Sequence, residues 1–510
     1  MSSVKTLVVV SVIYVVFKVA ESTTYQTHVC LRPGTDVIVQ LFEWKWDDIA
    51  KECENFLGPK HFCAVQVSPP NENRIIVNST HNRPWLERYE PVSYKIETRS
   101  GNESQFRDMV RRCNNVQVSV YADIVINHMT DVHHHGYGTG HSVYHGEQRT
   151  YPTVPYGGWD FHDSLHCHTK DLNIETYSSS EEVRNCQLEG KADINHGKPF
   201  VQDSIVDFLN KLIDLGVSGF RISSAKYMWP EQLNSIFDRL KDVNSVNGNM
   251  VRPFLYHEFD DKPGDAVKMS EYFSIGKVEY ENYGVTITDL IRNRSLKTFH
   301  SNWGTSRGMP SPSNVVTFID DQLKQRDITH PVFTQSDRRM YEVLNVLLLA
   351  YPYGIPRVFS GYSYRNVWDG PPHNRDMTTA DVIVNANGDC TGGWTCEHRL
   401  NALYKMVKFR EAVNGTSVHN WWSNNANQIA FSLGSKGFVA INAESSYNLD
   451  AYLQTGLRGG TYCDVISGSH NFCSGIRIAV RSDGKARITI PQNAHSAVIA
   501  IHANAMYTGK

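Results

Sequence analysis

From about residue 37 to residue 413, short apolar, β-rich runs alternate with stretches of helical period. The runs fall at 37–42, 64–67, 118–126, 217–222, 254–256, 315–319 and 356–359. Their near-continuous hydrophobicity predicts strands buried on both faces, as in a parallel sheet. Between them, Val201, Ile205, Phe208, Leu209, Leu212 and Ile213 mark one apolar stripe that ends at Gly216. Strand–helix repetition over this length predicts an α/β fold, a (β/α)8 barrel.

Two regions break the rhythm. Residues 127–196 have no clear helix period and are rich in His, Gly, Tyr and Asp. They read as a lobe inserted after the third strand, and Cys167 and Cys186 favour a stapled fold over a long disordered loop. After about residue 414 the pattern changes to alternation, at 428–433, 437–441, 476–480, 486–490 and 497–501. That predicts an all-β C-terminal domain, a Greek-key sandwich. The expected boundaries are a barrel over 23–127 and 197–414, a lobe over 128–196 and a C-terminal domain over 415–510.

The chain has 510 residues, a net charge of −3, and 41% hydrophobic and 20% charged residues. That describes a globular protein with ample core. The charge argues against electrostatic binding to nucleic acid or an anionic membrane. Lys5, an apolar run over 7–17 and the small-x-small triplet Ala20-Glu21-Ser22 read as a signal peptide over residues 1–22. Secretion to the extracellular space accounts for ten cysteines, enough for five disulfides. Sequons at Asn78, Asn102, Asn293 and Asn414 fit the same route.

Ordered motifs then carry a family resemblance. They include Val39-Gln40-Leu41-Phe42-Glu43-Trp44-Lys45-Trp46, Asp123-Ile124-Val125-Ile126-Asn127-His128, Gly219-Phe220-Arg221-Ile222-Ser223, Pro253-Phe254-Leu255-Tyr256-His257-Glu258 and Gly459-Gly460-Thr461-Tyr462-Cys463-Asp464. Over nearly its whole mature length the chain resembles the secreted animal α-amylases. The resemblance implies a barrel, an inserted calcium-binding lobe and a β-sandwich.

A retaining glycosidase needs an acid/base carboxyl and a nucleophilic carboxylate about 5–5.5 Å apart. The resemblance puts the acid/base at Glu258, the nucleophile position at Ser223 and a third, stabilising acid at Leu323. Only the first is an acid, and a neutral hydroxyl cannot serve as that nucleophilic carboxylate. The family's substrate-binding histidine is Gln322, and Leu86 replaces a stacking tryptophan. Trp85, Tyr89, His128 and Lys226 match sugar contacts. Asp260, Asp261, Asp320 and Asp321 lie near in sequence, so a relocated pair working by inversion stays open.

The same resemblance implies calcium bound through Asn127 and Asp193 side chains and the backbone carbonyls of Arg184 and Tyr227. Chloride sits in the family between two arginines and an asparagine. Here those positions are Arg221, Arg357 and Asp321, and an acid in the third predicts that chloride is not bound. Asp321 could itself pair with both arginines. Four disulfides follow from the family: Cys53–Cys113, Cys167–Cys186, Cys390–Cys396 and Cys463–Cys473. Cys30 and Cys63 remain, near the N-terminal face of the barrel, and are expected to pair. The resulting expectation is a secreted, monomeric α-amylase homologue that has lost α-1,4-glucan hydrolysis. Its role would be to bind an α-glucan or oligosaccharide, act as an inhibitor decoy or serve as bulk protein. The alternative is a weak or altered hydrolase acting through Glu258.

Overall fold

The computed structural model describes residues 30–77, 82–245, 248–468 and 473–508. The predicted signal peptide and Asn78 lie outside the described residues. Eight parallel strands close a barrel: β1 (Ile38–Leu41), β2 (Ala64–Val67), β3 (Ser119–Ile124), β4 (Gly219–Ile222), β5 (Phe254–His257), β6 (Lys277–Tyr280), β7 (Val315–Phe318) and β8 (Ile355–Ser360). Each pairs with its neighbours in chain order, and β1 closes the ring on β8. Every strand is buried at all or all but one of its positions, with helices covering the outside, which is why the runs are so apolar.

The hydrophobic runs account for seven of the eight strands. The exception is β6, whose Lys-Val-Glu-Tyr sequence lacks an apolar run. Its first three residues are nonetheless buried, because Lys277 reaches the Ser313 carbonyl at 2.5 Å and Glu279 meets arginines inside the barrel.

Helices follow the strands as α1 (Trp46–Glu52), α2 (Glu103–Asn115), α3 (Pro199–Asp214), α4 (Pro230–Phe237), α5 (Asn282–Arg292), α6 (Arg338–Ala350) and α7 (Asn401–Val413). After β5 the helix is reduced to a 3-10 turn, Met269–Tyr272. α3 buries the predicted stripe, starts with a proline and stops at Gly216, whose φ of 100° suits glycine alone.

The lobe between β3 and α3 is folded. The strand His128–Asp131 pairs with Lys191–Asp193, and a hairpin joins His135–Tyr137 to Val143–His145. A short helix, Ser180–Asn185, lies against the turn at Ala225–Tyr227. All five expected disulfides form, Cys30–Cys63 among them. Asn102, Asn293 and Asn414 are exposed.

The C-terminal domain holds β9 (Val418–Ser423), β10 (Gln428–Leu433), β11 (Gly437–Asn442), β12 (Leu449–Gln454), β13 (Gly460–Cys463), β14 (Arg477–Val480), β15 (Lys485–Ile490) and β16 (Val498–His502). β9-β10-β11-β16 form one sheet, and β12-β15 and β13-β14 form two antiparallel pairs. β15 alternates buried and exposed residues, as its sequence suggests. By contrast β10, β11 and β16 are buried throughout. One face meets Leu449, Ile478 and Ile488 inside the domain. The other packs on the barrel, where Phe431 meets Tyr351 and His502 meets Phe409. Among the described residues no helix is long and apolar enough to cross a membrane.

Candidate active site at the C-terminal end of the barrel

Ser223 and Glu258 each sit one residue past a strand. Their amides continue the ladder, Ser223 to the Ile124 carbonyl and Glu258 to the Ile222 carbonyl, both at 2.9 Å. This end of a parallel barrel is where side chains from several strands converge on one cleft. Ser224 takes a left-handed conformation, φ 56°, and donates its amide to Glu258 Oε2 at 2.7 Å. The Ser223 hydroxyl donates to the same oxygen at 2.8 Å, and Arg221 Nη2 meets Glu258 Oε1 at 3.0 Å.

This environment decides the protonation of Glu258. Burial pushes its pKa up. The Arg221 charge, with hydrogen bonds from Ser224, Ser223 and Arg221, more than offsets that and holds it below the usual carboxylate range. The only acid among the three expected positions is thus held towards its anionic form. Leu323, at the expected stabilising position, is an apolar side chain left 43% exposed.

Behind these groups lies a buried charge network. Arg221 Nη1 donates to both oxygens of Asp123 at 3.1 Å, while its Nε and Nη2 donate to Glu279 at 3.0 Å each. Arg357 Nη1 also donates to Glu279 Oε1, and to Gln66 at 3.1 Å. Burial raises the Asp123 pKa, Arg221 opposes this, and the net result is about 6. Arg221 itself is held firmly charged: burial works against the charge, but Asp123, Glu258 and Glu279 outweigh it.

One expectation needs correction here. Asp321 does not bridge the two arginines. Its Oδ1 accepts the amides of Leu323 and Lys324 at 2.9 and 2.8 Å, capping its own turn, and its Oδ2 reaches only Arg357, at 3.5 Å. The acid in contact with both arginines is Glu279. The sequence reading missed it because it missed β6.

The expected sugar contacts are engaged within the protein. Trp85 is 4% exposed and donates its indole N–H to the Val367 carbonyl. Tyr89 donates to Asp123 at 3.0 Å and accepts from Gln322, which is also bonded to Gln40. The His128 ring lies 3.0 Å from the Tyr89 carbonyl. Lys226 is buried, with its ammonium on Asp265 at 2.5 Å and on the Asp260 carbonyl at 2.6 Å. Arg326, which carried no role in the sequence reading, lays its guanidinium over Tyr364, Tyr362 and Trp85 at 4.2, 5.3 and 5.7 Å from the ring centroids. It caps these rings as a cation–π contact.

The residues expected to hold calcium are brought together in two pairs. His128 pairs across the lobe strands with Asp193, which brings Asn127 beside it, and the helix carrying Arg184 packs on the turn carrying Tyr227. Asn127 Oδ1 is buried with no hydrogen-bond partner among the described residues. Asp193 is buried with one oxygen 2.6 Å from His162 Nδ1, and burial, only partly opposed by Arg149, pushes its pKa well up. An orphaned amide oxygen beside an undercompensated carboxylate is the hard-oxygen donor set that fits calcium. No cluster of three or more His, Cys, Asp or Glu side chains suited to a metal occurs among the described residues.

A closed (β/α)8 barrel with a lobe after β3, a carboxylate at a strand end and a C-terminal β-domain is the architecture of a glycoside hydrolase. Family models place the chain more closely. "Alpha amylase, catalytic domain" matches residues 82–285 and "Alpha amylase, C-terminal all-beta domain" matches 421–504. An α-amylase of Pecten maximus is 47% identical over 499 residues, covering 96% of both chains. Pancreatic alpha-amylase 2a5 of Mus musculus is 44% identical, covering 92% of this chain and 95% of its own. The crystal structure of alpha-amylase I from Eisenia fetida superposes with a TM-score of 0.87 at 38% identity, covering 94% of this chain and 99% of its own. The chain belongs to the α-amylase family.

Proposed function

We propose that this protein is a secreted member of the α-amylase family that does not hydrolyse α-1,4-glucans and whose cleft retains only α-glucan binding. One observation carries the reading. Glu258 is the only acid at the three expected positions, and Ser223, Ser224 and Arg221 hold it as an anion. A site with neither a proton donor nor a nucleophile has no route to a covalent glycosyl intermediate. The predicted signal peptide and the five disulfides support secretion. Calcium, held by Asn127, Asp193 and the Arg184 and Tyr227 carbonyls, would pin the lobe to the barrel and take no part in chemistry. A mutant of the Eisenia fetida enzyme crystallised with maltohexaose supports an α-glucan as the ligand class.

The second reading, weak hydrolysis through Glu258, is favoured by the 17% exposure its side chain retains at the cleft. Reducing-sugar release from soluble starch decides between them. The non-hydrolytic reading expects the wild type to match Glu258→Gln. Turnover that disappears in Glu258→Gln overturns it. Retardation on glycogen-containing native gels tests the binding half, and unaltered mobility refutes it.

A further inference from the structure

Arg221 and Arg357 approach one another inside the barrel, each about 1% exposed. Two buried like charges at this range need an anion between them. The family's chloride would fill that position, but the residues present do not fit it. Glu279 Oε1 lies 3.0 Å from Arg221 Nε and also accepts from Arg357 Nη1, and its Oε2 lies 3.0 Å from Arg221 Nη2. Glu279 is itself 0% exposed.

We propose that Glu279 is a built-in anion that takes the place of a bound halide, so that the protein neither requires nor admits one. The charge count supports this. Four carboxylates, Asp123, Glu258, Glu279 and Asp321, already contact the two guanidinium groups. A halide would add a fifth negative charge to a network whose Asp123 already resists ionisation until about pH 6. A carboxylate tethered to β6 loses no translational freedom on binding, so its pairing is independent of salt composition.

Glu279 also acts as a positioning residue. It grips the Nε–Nη2 edge of Arg221 and leaves Nη1 for Asp123, while Nη2 still reaches Glu258 Oε1 at 3.0 Å. The strand register makes this possible, since Glu279 pairs with Val316 on β7, one strand from Arg357 on β8.

The test reads halide binding without substrate, so its outcome is separate from that of the starch assay. The full chain and its Glu279→Ala and Glu279→Gln variants are unfolded thermally in sodium gluconate, with chloride or bromide replacing gluconate at constant ionic strength. The wild-type Tm is expected to ignore the exchange. Both variants should melt lower in gluconate and recover saturably in halide, by about 2–4 °C, because a ligand bound only by the folded state raises Tm. A saturable halide response in the wild type overturns the proposal, as does a folded variant that responds no more than wild type. If neither variant folds, bromide-soaked wild-type crystals decide. Anomalous density between Arg221 and Arg357 refutes the proposal, and a continuous Glu279 carboxylate with no bromide there supports it.

Discussion

The Ser223 hydroxyl donates to Glu258 Oε2 at 2.8 Å. On the proposed reading, in which Ser223 stands at the nucleophile position, the serine does more than remove a carboxylate. A carboxylate at that position would repel Glu258 and raise its pKa, favouring the acid form. The serine instead stabilises the Glu258 anion, together with Arg221 and the Ser224 amide.

Restoring hydrolysis should therefore need more than one reversion. Ser223→Asp supplies a nucleophile and raises the Glu258 pKa, but Leu323 still presents an apolar group to the developing oxocarbenium charge. Leu323→Asp alone leaves no nucleophile. Groups that act as one catalytic unit are strongly non-additive. Detectable starch cleavage is expected only in Ser223→Asp/Leu323→Asp, with Gln322→His as a further aid. Full amylase rates from Ser223→Asp alone would show that Leu323 is not the stabilising position.

Chelation should lower the Tm. A cation satisfying Asn127 Oδ1 and Asp193 binds only the folded lobe, and at about 100 times its Kd it contributes about 2.7 kcal/mol. Asn127→Ala and Asp193→Ala should each melt lower than wild type and show no further loss with chelator. Identical wild-type melting curves with and without chelator would remove calcium from the account.

Arg221→Met should destabilise the fold by at least about 3–5 kcal/mol, since removing one partner from a buried ion network strands the others. The denaturant midpoint measures it. Arg357→Met should cost less, because apart from a neutral partner, Gln66, Arg357 contacts only Glu279 and, at 3.5 Å, Asp321.

Acid should unfold the protein partly through buried histidines. Burial depresses His196 and His257 to about 4, with backbone carbonyl bonds only partly opposing it. The unfolded chain binds these protons near pH 6.5 and the folded chain does not. Their contribution is therefore complete above about pH 6.5 and is lost as pH falls towards 4. Replacing His257 with glutamine should flatten the Tm-against-pH curve in that window, and an unchanged slope would contradict the assignment.

Arg326→Ala should uncover the rings of Trp85, Tyr362 and Tyr364 and increase retardation on glycogen gels several-fold. Unchanged mobility would show that these rings are not a sugar surface.

The pairing of Cys30 with Cys63 and seven of eight barrel strands were legible in the chain. Local hydrophobic period marks a strand buried on both faces, and motif order numbers the strands, so Ser223 and Glu258 could be placed at the ends of β4 and β5 by their own neighbours. The double burial of β10, β11 and β16 was not legible, because their second face is covered by helices of another domain. Nor was the internal burial of Trp85 and Lys226, whose partners lie on distant loops. Glu279 is the clearest case. Its strand carries no apolar run, and its partners Arg221 and Arg357 lie 58 and 78 residues away. Sequence determines that a strand residue faces one side or the other. Which charges meet inside the barrel is set by its closure and register, and only the folded ring decided that one carboxylate would stand between two arginines.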